Sequence, residues 1–199
     1  MSRDEINYRA ISDAARIRLL ASPIRHELVD TLAALGGEAS AVELALQLGR
    51  PADGLYYHLR LLCKANLIDE QEDEPGAERR YRLCGKGDAP LRLSYKTGDN
   101  ANTAALHKFA HGLLQVAKQD FENALDTPGT VVEGPQRQLW AARNKGWLSS
   151  EELREANTLL ERLCELMSNP RTPERNQLMS CAFVLAPVTP RPIRRTQDE

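Results

Sequence analysis

The stretch that most constrains this chain is residues 40–83, SAVELALQLGRPADGLYYHLRLLCKANLIDEQEDEPGAERRYRL. Ser40 suits a helix N-cap because its hydroxyl can accept an orphan backbone N–H, and Glu43, three residues on, completes a capping box. Ala41, Leu44, Ala45 and Leu48 recur at helical spacing, so a short helix is expected from residue 41. Gly49 ends it where the left-handed conformation costs least, and Arg50 and Pro51 make a turn. Residues 52–65 can form a second helix with a buried ridge of Leu55, Leu59 and Leu62. Its solvent stripe is then Asp53, Gly54, Tyr56, Tyr57, Arg60 and Lys64. Asn66 suits a left-handed cap, residues 67–72 alternate into a strand, Glu74-Pro75-Gly76 supplies turn chemistry, and residues 79–84 return as a second strand.

Two short helices about a tight turn are a known way to set one helix into the DNA major groove, which at about 12 Å wide just admits it. The hairpin is then a wing. The pattern from Ser22-Pro23 through Leu83, centred on LYYHLRLLCKANLIDE and closing on Arg79-Arg80-Tyr81-Arg82-Leu83, resembles the ArsR-like winged helix-turn-helix regulators of prokaryotes. The resemblance covers roughly the first half of the chain. It implies DNA binding and dimerisation, and it implies that the N-terminal helix lies outside the reading head and helps pair two subunits. It does not extend to arsenic or cadmium sensing. Metal sensors of that group often carry a Cys-x-Cys pair in the first helix of the motif, and the corresponding Val42-Glu43-Leu44-Ala45 has no cysteine.

Within the reading head, adjacent tyrosines on a helix cannot both enter the same core, so at least one of Tyr56 and Tyr57 is expected to reach a phosphate or a base edge. Asp53 and Gly54 occupy the first turn, where such helices approach bases. Asp53 either accepts from a cytosine amino group or caps the helix, and the sequence leaves both open. Arg60 and Lys64 suit phosphates, and Arg50 lies in the turn. His58 reads as a polar residue beside the leucine ridge rather than a ligand. In the wing, Arg79 and Arg80 suit a narrow minor groove, whose negative potential attracts arginine. Asp69, Glu70, Glu72, Asp73 and Glu74 precede them and oppose phosphate, so weak wing contacts are expected.

Residues 6–20 read as a first amphipathic helix carrying Arg9, Arg16 and Arg18. Ser22 caps the next, with Pro23 at its first position and Ile24, Leu28, Leu32 and Leu35 as its buried stripe, and Gly36-Gly37 stops it. His26 lies beside that stripe and is expected at the surface or on a phosphate. Beyond Leu83, residues 91–96 alternate as a strand, and residues 101–125 make a long helix with Leu106, Phe109, Leu113, Ala117 and Phe121 near one face. That helix is too apolar to stand alone and should pack on the N-terminal helix, on a second subunit or on the C-terminal segments. Val131-Val132 reads as a brief strand, Gly134-Pro135 opens a helical piece through Trp140, and Ser149 with Glu152 caps a helix over 151–167. A final strand is expected over 178–188.

The fold class expected is mainly α with a small β-hairpin wing. A winged helix-turn-helix domain with its N-terminal helix takes residues 1–97, a helical dimerisation and effector region with a short terminal strand takes 98–189, and a disordered tail takes 190–199. His107 and His111 stand at i and i+4, a spacing that can chelate a metal, but only Asp120 offers itself as a third ligand and no metal centre is expected. Cys63, Cys84, Cys164 and Cys181 lack Cys-x-x-Cys spacing and read as reduced, mostly buried thiols. Trp140 and Trp147 either pack between the long helix and the helix at 151–167 or wall a small-molecule pocket.

No run of about 18 apolar residues could span a bilayer, so a cytoplasmic protein is expected. The net charge of −2 gives no help to DNA binding, although a regulator needs a basic face rather than a basic total. The function expected is a homodimeric transcriptional regulator, a repressor before an activator, that places helix 52–65 on an inverted-repeat operator. Its partners would be double-stranded DNA, a second copy and an unidentified small-molecule effector, with no cofactor. The competing class is a winged protein-interaction module that no longer binds DNA. An enzyme ranks third, since no Gly-rich phosphate loop, paired-carboxylate motif or Gly-x-Ser-x-Gly is present.

Overall fold

The structure is a computed structural model that describes residues 9–72, 78–84, 91–95, 98–169 and 171–188. Its first helix is set by Asp13, whose carboxylate accepts from the backbone N–H of Ala15 at 3.1 Å and of Arg16 at 3.3 Å, opening α1 at Ala14–Leu20. The helix expected over 6–20 is therefore shorter. Residues ahead of the cap are recruited elsewhere: β1 (Arg9–Ile11) pairs in parallel with Leu91–Leu93, and Ile11 is buried. Residues 6–8 lie outside the described residues.

Pro23 opens α2 (Pro23–Ala34) as its missing N–H allows, but Ser22 makes no side-chain capping bond. Gly36 and Gly37, both at positive φ, turn the chain into β2 (Glu38–Ser40), a strand not anticipated from the sequence. Then follow α3 (Ala41–Leu48), a 3₁₀ turn (Ala52–Gly54) and α4 (Tyr56–Lys64). Asn66 takes φ 50°, the left-handed cap expected of it, and the hairpin of β3 (Ile68–Gln71) and β4 (Arg80–Leu83) follows. The hairpin is antiparallel, with Ile68 opposite Leu83 and Gln71 opposite Arg80, and β2 adds to its other edge to give the order β2-β4-β3. The turn expected at 74–76 falls outside the described residues. Tyr81, on the central strand, is 3% exposed, and burial pushes its hydroxyl up to about 12, so it fills the core as a neutral wedge.

The chain is thus mainly helical with a small three-stranded antiparallel sheet. One core joins Ile17 and Leu20 of α1, Leu28 and Leu32 of α2, Leu44 of α3 and Leu59 and Leu62 of α4. Each such side chain contributes about 1.5–3 kcal/mol by leaving water.

The strand at 91–96 is shorter than expected, β5 (Leu91–Leu93), and Lys96 lies outside the described residues. Asp99 caps α5 (Asn100–Asp126), which packs on α1 and α2. Of its expected apolar face, Leu106 and Phe109 pack against the core, while Leu113, Ala117 and Phe121 are half-buried. Two polar or small residues set that docking. Asn102, buried, donates from Nδ2 to the carbonyl of Ser12 at 3.1 Å. Gly112 lets the helix ride over the end of α1, because a Cβ there would collide with the carbonyl oxygen of Ala21 and lie 3.1 Å from its carbon.

Beyond α5, the Ser149–Glu152 capping box forms as expected and opens α6 (Ser150–Ser168). Three expected elements do not form. The strand at 131–132 and the helical piece to Trp140 are replaced by a loop that bonds to itself: the Val131 N–H donates to Gln138 Oε1 at 3.0 Å, and the Gln138 N–H donates to the Val131 carbonyl at 2.7 Å. Residues 178–188 form no strand, since an extended segment needs a neighbour for its backbone groups and none of the described strands pairs with it. The tail at 190–199 lies outside the described residues. No helix among the described residues is long and apolar enough to cross a membrane.

Candidate nucleic-acid interface

The helix pair at residues 40–64 is held by local chemistry. The Ser40 hydroxyl accepts from the Glu43 N–H at 3.2 Å while the Glu43 carboxylate accepts from the Ser40 N–H at 2.7 Å, and Gly49 closes α3 at φ 61°. Leu55, Leu59 and Leu62 are buried to within 1% and anchor α4 against the core. Helical geometry then turns Tyr56, Tyr57, Arg60 and Lys64 outward, and all four are exposed. Tyr57 is the more open of the two tyrosines at 62% against 41%, and it meets His58 edge-on with ring centroids 5.3 Å apart.

Asp53 and Gly54 are exposed as expected, but they lie in the 3₁₀ turn ahead of α4 rather than in its first turn. Leu55 takes the N-cap position, and no side chain caps α4. Of the two roles open to Asp53, capping is therefore not the one it plays.

The cations sort into two groups. Arg50 reaches across to α2, Nη2 to Glu27 Oε2 at 3.4 Å, where it offsets the burial that pushes the Glu27 carboxyl upward. Arg79 holds Glu70 at 3.0 Å. Arg80, expected to point at a minor groove, is committed within the fold. Its Nε donates to Glu38 at 2.7 Å and its Nη2 lies 3.3 Å from Glu43, the capping-box carboxylate, so it clamps β4 to the start of α3. Arg60 and Lys64 make no ion pair among the described residues.

Two cations of this region went unanticipated. Arg82 is exposed on β4, opposite Glu38 on one side and Asp69 on the other. Arg25, in the first turn of α2, donates from Nε to the Leu19 carbonyl at 2.6 Å. A cation off the apolar stripe just after Pro23 was its only signal in the sequence.

His58 lies half-buried with Nδ1 buried and unpaired among the described residues, and burial, then Arg25 and Arg50, lower its pKa, so it stays neutral beside the leucine ridge. His26 is not the surface or phosphate-contacting residue expected. Its ring lies 4.9 Å from that of Phe109 of α5, tilted by 40°, and its Nε2 lies 3.3 Å from Asp30, because α5 covers that side of α2.

His107 and His111 are exposed on α5, and no group of three or more metal-ligating side chains assembles among the described residues. Trp140 carries Arg137 over its ring at 3.0 Å, and Trp147 is fully exposed, so neither indole packs between helices as expected. The four cysteines are free thiols. Three are half-buried and Cys181 is exposed, against the expectation of mostly buried thiols. No protein-family model matches the chain, and no curated protein matches it.

Proposed function

We propose that this chain is a transcriptional regulator of the ArsR-like winged helix-turn-helix kind, a repressor that binds an inverted-repeat operator as a homodimer and lays α4 in the major groove. The single observation that carries this is the outward stripe of α4, where two tyrosines lie beside Arg60 and Lys64, cations that make no ion pair among the described residues while Arg50, Arg79 and Arg80 are engaged by neighbouring carboxylates. Cations without internal partners are the ones able to replace phosphate counterions. The β3–β4 hairpin would act as a wing that contributes little, since its own carboxylates neutralise it.

That same neutralised hairpin favours a second reading, a protein-interaction module with this fold that has left DNA. Affinity against salt separates the two. Arg60→Ala and Lys64→Ala should each weaken binding to every duplex about tenfold and lower the salt slope by about one, while Tyr57→Ala should change which sequences are preferred. Fluorescence anisotropy on specific and random duplexes reads all three. Identical small effects of every substitution on both duplexes would remove α4 from the interface.

A further inference from the structure

Residues 171–188 form no helix or strand, but side chains fix their course. Arg175 donates from Nη2 to the Leu166 carbonyl of α6 at 2.7 Å, Gln177 accepts at Oε1 from Gln138 Nε2 at 3.0 Å, and the Ser180 hydroxyl donates to Asp120 Oδ2 of α5 at 2.5 Å. The chain therefore doubles back beside the end of α6 and comes to rest on α5. Two cysteines meet where it does so. On α6, Ala156, Leu160, Leu163 and Cys164 share one face and are half-buried, so Cys164 lies on the sheltered side of the helix. Cys181 follows Ser180 directly and is exposed. Its thiol is raised above the ordinary value by desolvation first and by Cys164 second, so the two sulfurs lie within reach of each other's charge.

We propose that Cys164 and Cys181 form a modification site, a thiol pair that hydrogen peroxide oxidises to a disulfide fastening the returning segment to α6. The inference goes beyond the proposed function and stands whether or not α4 meets DNA. Exposure assigns the order of events. The thiolate of Cys181, the open one, attacks an oxygen of the peroxide: an S–O bond forms, the O–O bond breaks, and hydroxide leaves with the thiol's proton as water. The sulfenic acid so formed is attacked at sulfur by the Cys164 thiolate. The S–S bond forms, the S–O bond breaks, and the departing hydroxide takes the Cys164 proton as a second water. The thiols together give up two electrons, and the peroxide is reduced by them. The raised thiol of Cys181 slows the first step without preventing it, because thiolate is replenished from thiol as it reacts. In the reduced chain the segment rests on exposed hydrogen bonds, each of small net value. The disulfide replaces that hold with a covalent one, and reduction releases it.

Treatment of the purified, fully reduced chain with hydrogen peroxide tests this, the remaining thiols being counted as N-ethylmaleimide adducts by intact mass. Two of the four thiols should disappear together, and dithiothreitol should restore both. Trypsin locates the bond, because Arg171 and Arg175 lie between the two cysteines. Digested without reductant, the oxidised chain should give one species that joins the Cys164 peptide to the Cys181 peptide. Cys164→Ser should abolish that species and leave Cys181 as a sulfenic acid that dimedone labels, whereas Cys63→Ser should change neither result. Circular dichroism of Cys164→Ser should match the wild type, because Cys164 lies outside the core of α1 to α5. Loss of single thiols to sulfinic or sulfonic acid, a bond between two copies of the chain, or a bond to Cys63 or Cys84 overturns the inference. So does a full count of four thiols after treatment.

Discussion

Gly112→Val is expected to lower the stability of the chain by about 3 kcal/mol, read as a drop in the urea midpoint with an unchanged slope. Two effects of opposite sign meet at this position. Any side chain stiffens the middle of α5, and alanine would add about 1 kcal/mol there through helix propensity alone. Against that, the first atom of the side chain would lie on the carbonyl of Ala21, part of the backbone that ends α1 and unable to swing aside as a side-chain tip can. Forced overpacking of this kind costs about 1–3 kcal/mol even when neighbours relax. The steric term therefore wins already for Gly112→Ala, by about 1 kcal/mol, and valine adds two methyl groups to the same collision. A rise in the midpoint for Gly112→Ala would show that α5 does not ride on the end of α1.

The second large effect is expected at Leu59. Leu59→Ala should cost about 2–5 kcal/mol, because the side chain is 1% exposed between α4 and the core and its loss leaves a cavity that packed helices cannot close. Its neighbour Arg60 points the other way, and Arg60→Ala should change stability by no more than about 0.5 kcal/mol. Adjacent residues thus separate the two jobs of one helix. Leu59 holds α4 in place, and Arg60 faces solvent. Thermal or urea unfolding of the two variants side by side checks the pair, and a stable Leu59→Ala protein would mean that α4 is not anchored as described.

Legibility in the sequence followed the range of the interactions. The segment from Ser40 to Lys64 was readable because its determinants are local: the capping box spans three residues, Gly49 ends its own helix, and the Leu55-Leu59-Leu62 ridge repeats with the helix. Asn66 was readable for the same reason. By contrast, β2 is three residues long, too short to show alternation, and it exists only because β4 arrives beside it. The short parallel pair of β1 and β5 joins opposite ends of the first half of the chain, and nothing in Arg9-Ala10-Ile11 announces it. Residues 178–188 show the reverse case, a strand-like composition without a strand partner.

The same division holds at the candidate interface. That Tyr56, Tyr57, Arg60 and Lys64 face outward follows from helical periodicity, and they do. That Arg80 is unavailable does not follow from its neighbours, because its partners Glu38 and Glu43 come from a strand and a helix start brought together only by the sheet register. His26 was misplaced for a similar reason, since the element that covers it, α5, begins far along the chain.

Selection of bound fragments from a random duplex library by the purified chain, at two salt concentrations, decides whether α4 reads DNA. A homodimer with α4 in the major groove should enrich an inverted repeat whose half-sites lie one helical turn apart, about 34 Å, retained more strongly at the lower salt. No enrichment, with no duplex retained even at low salt, would contradict it.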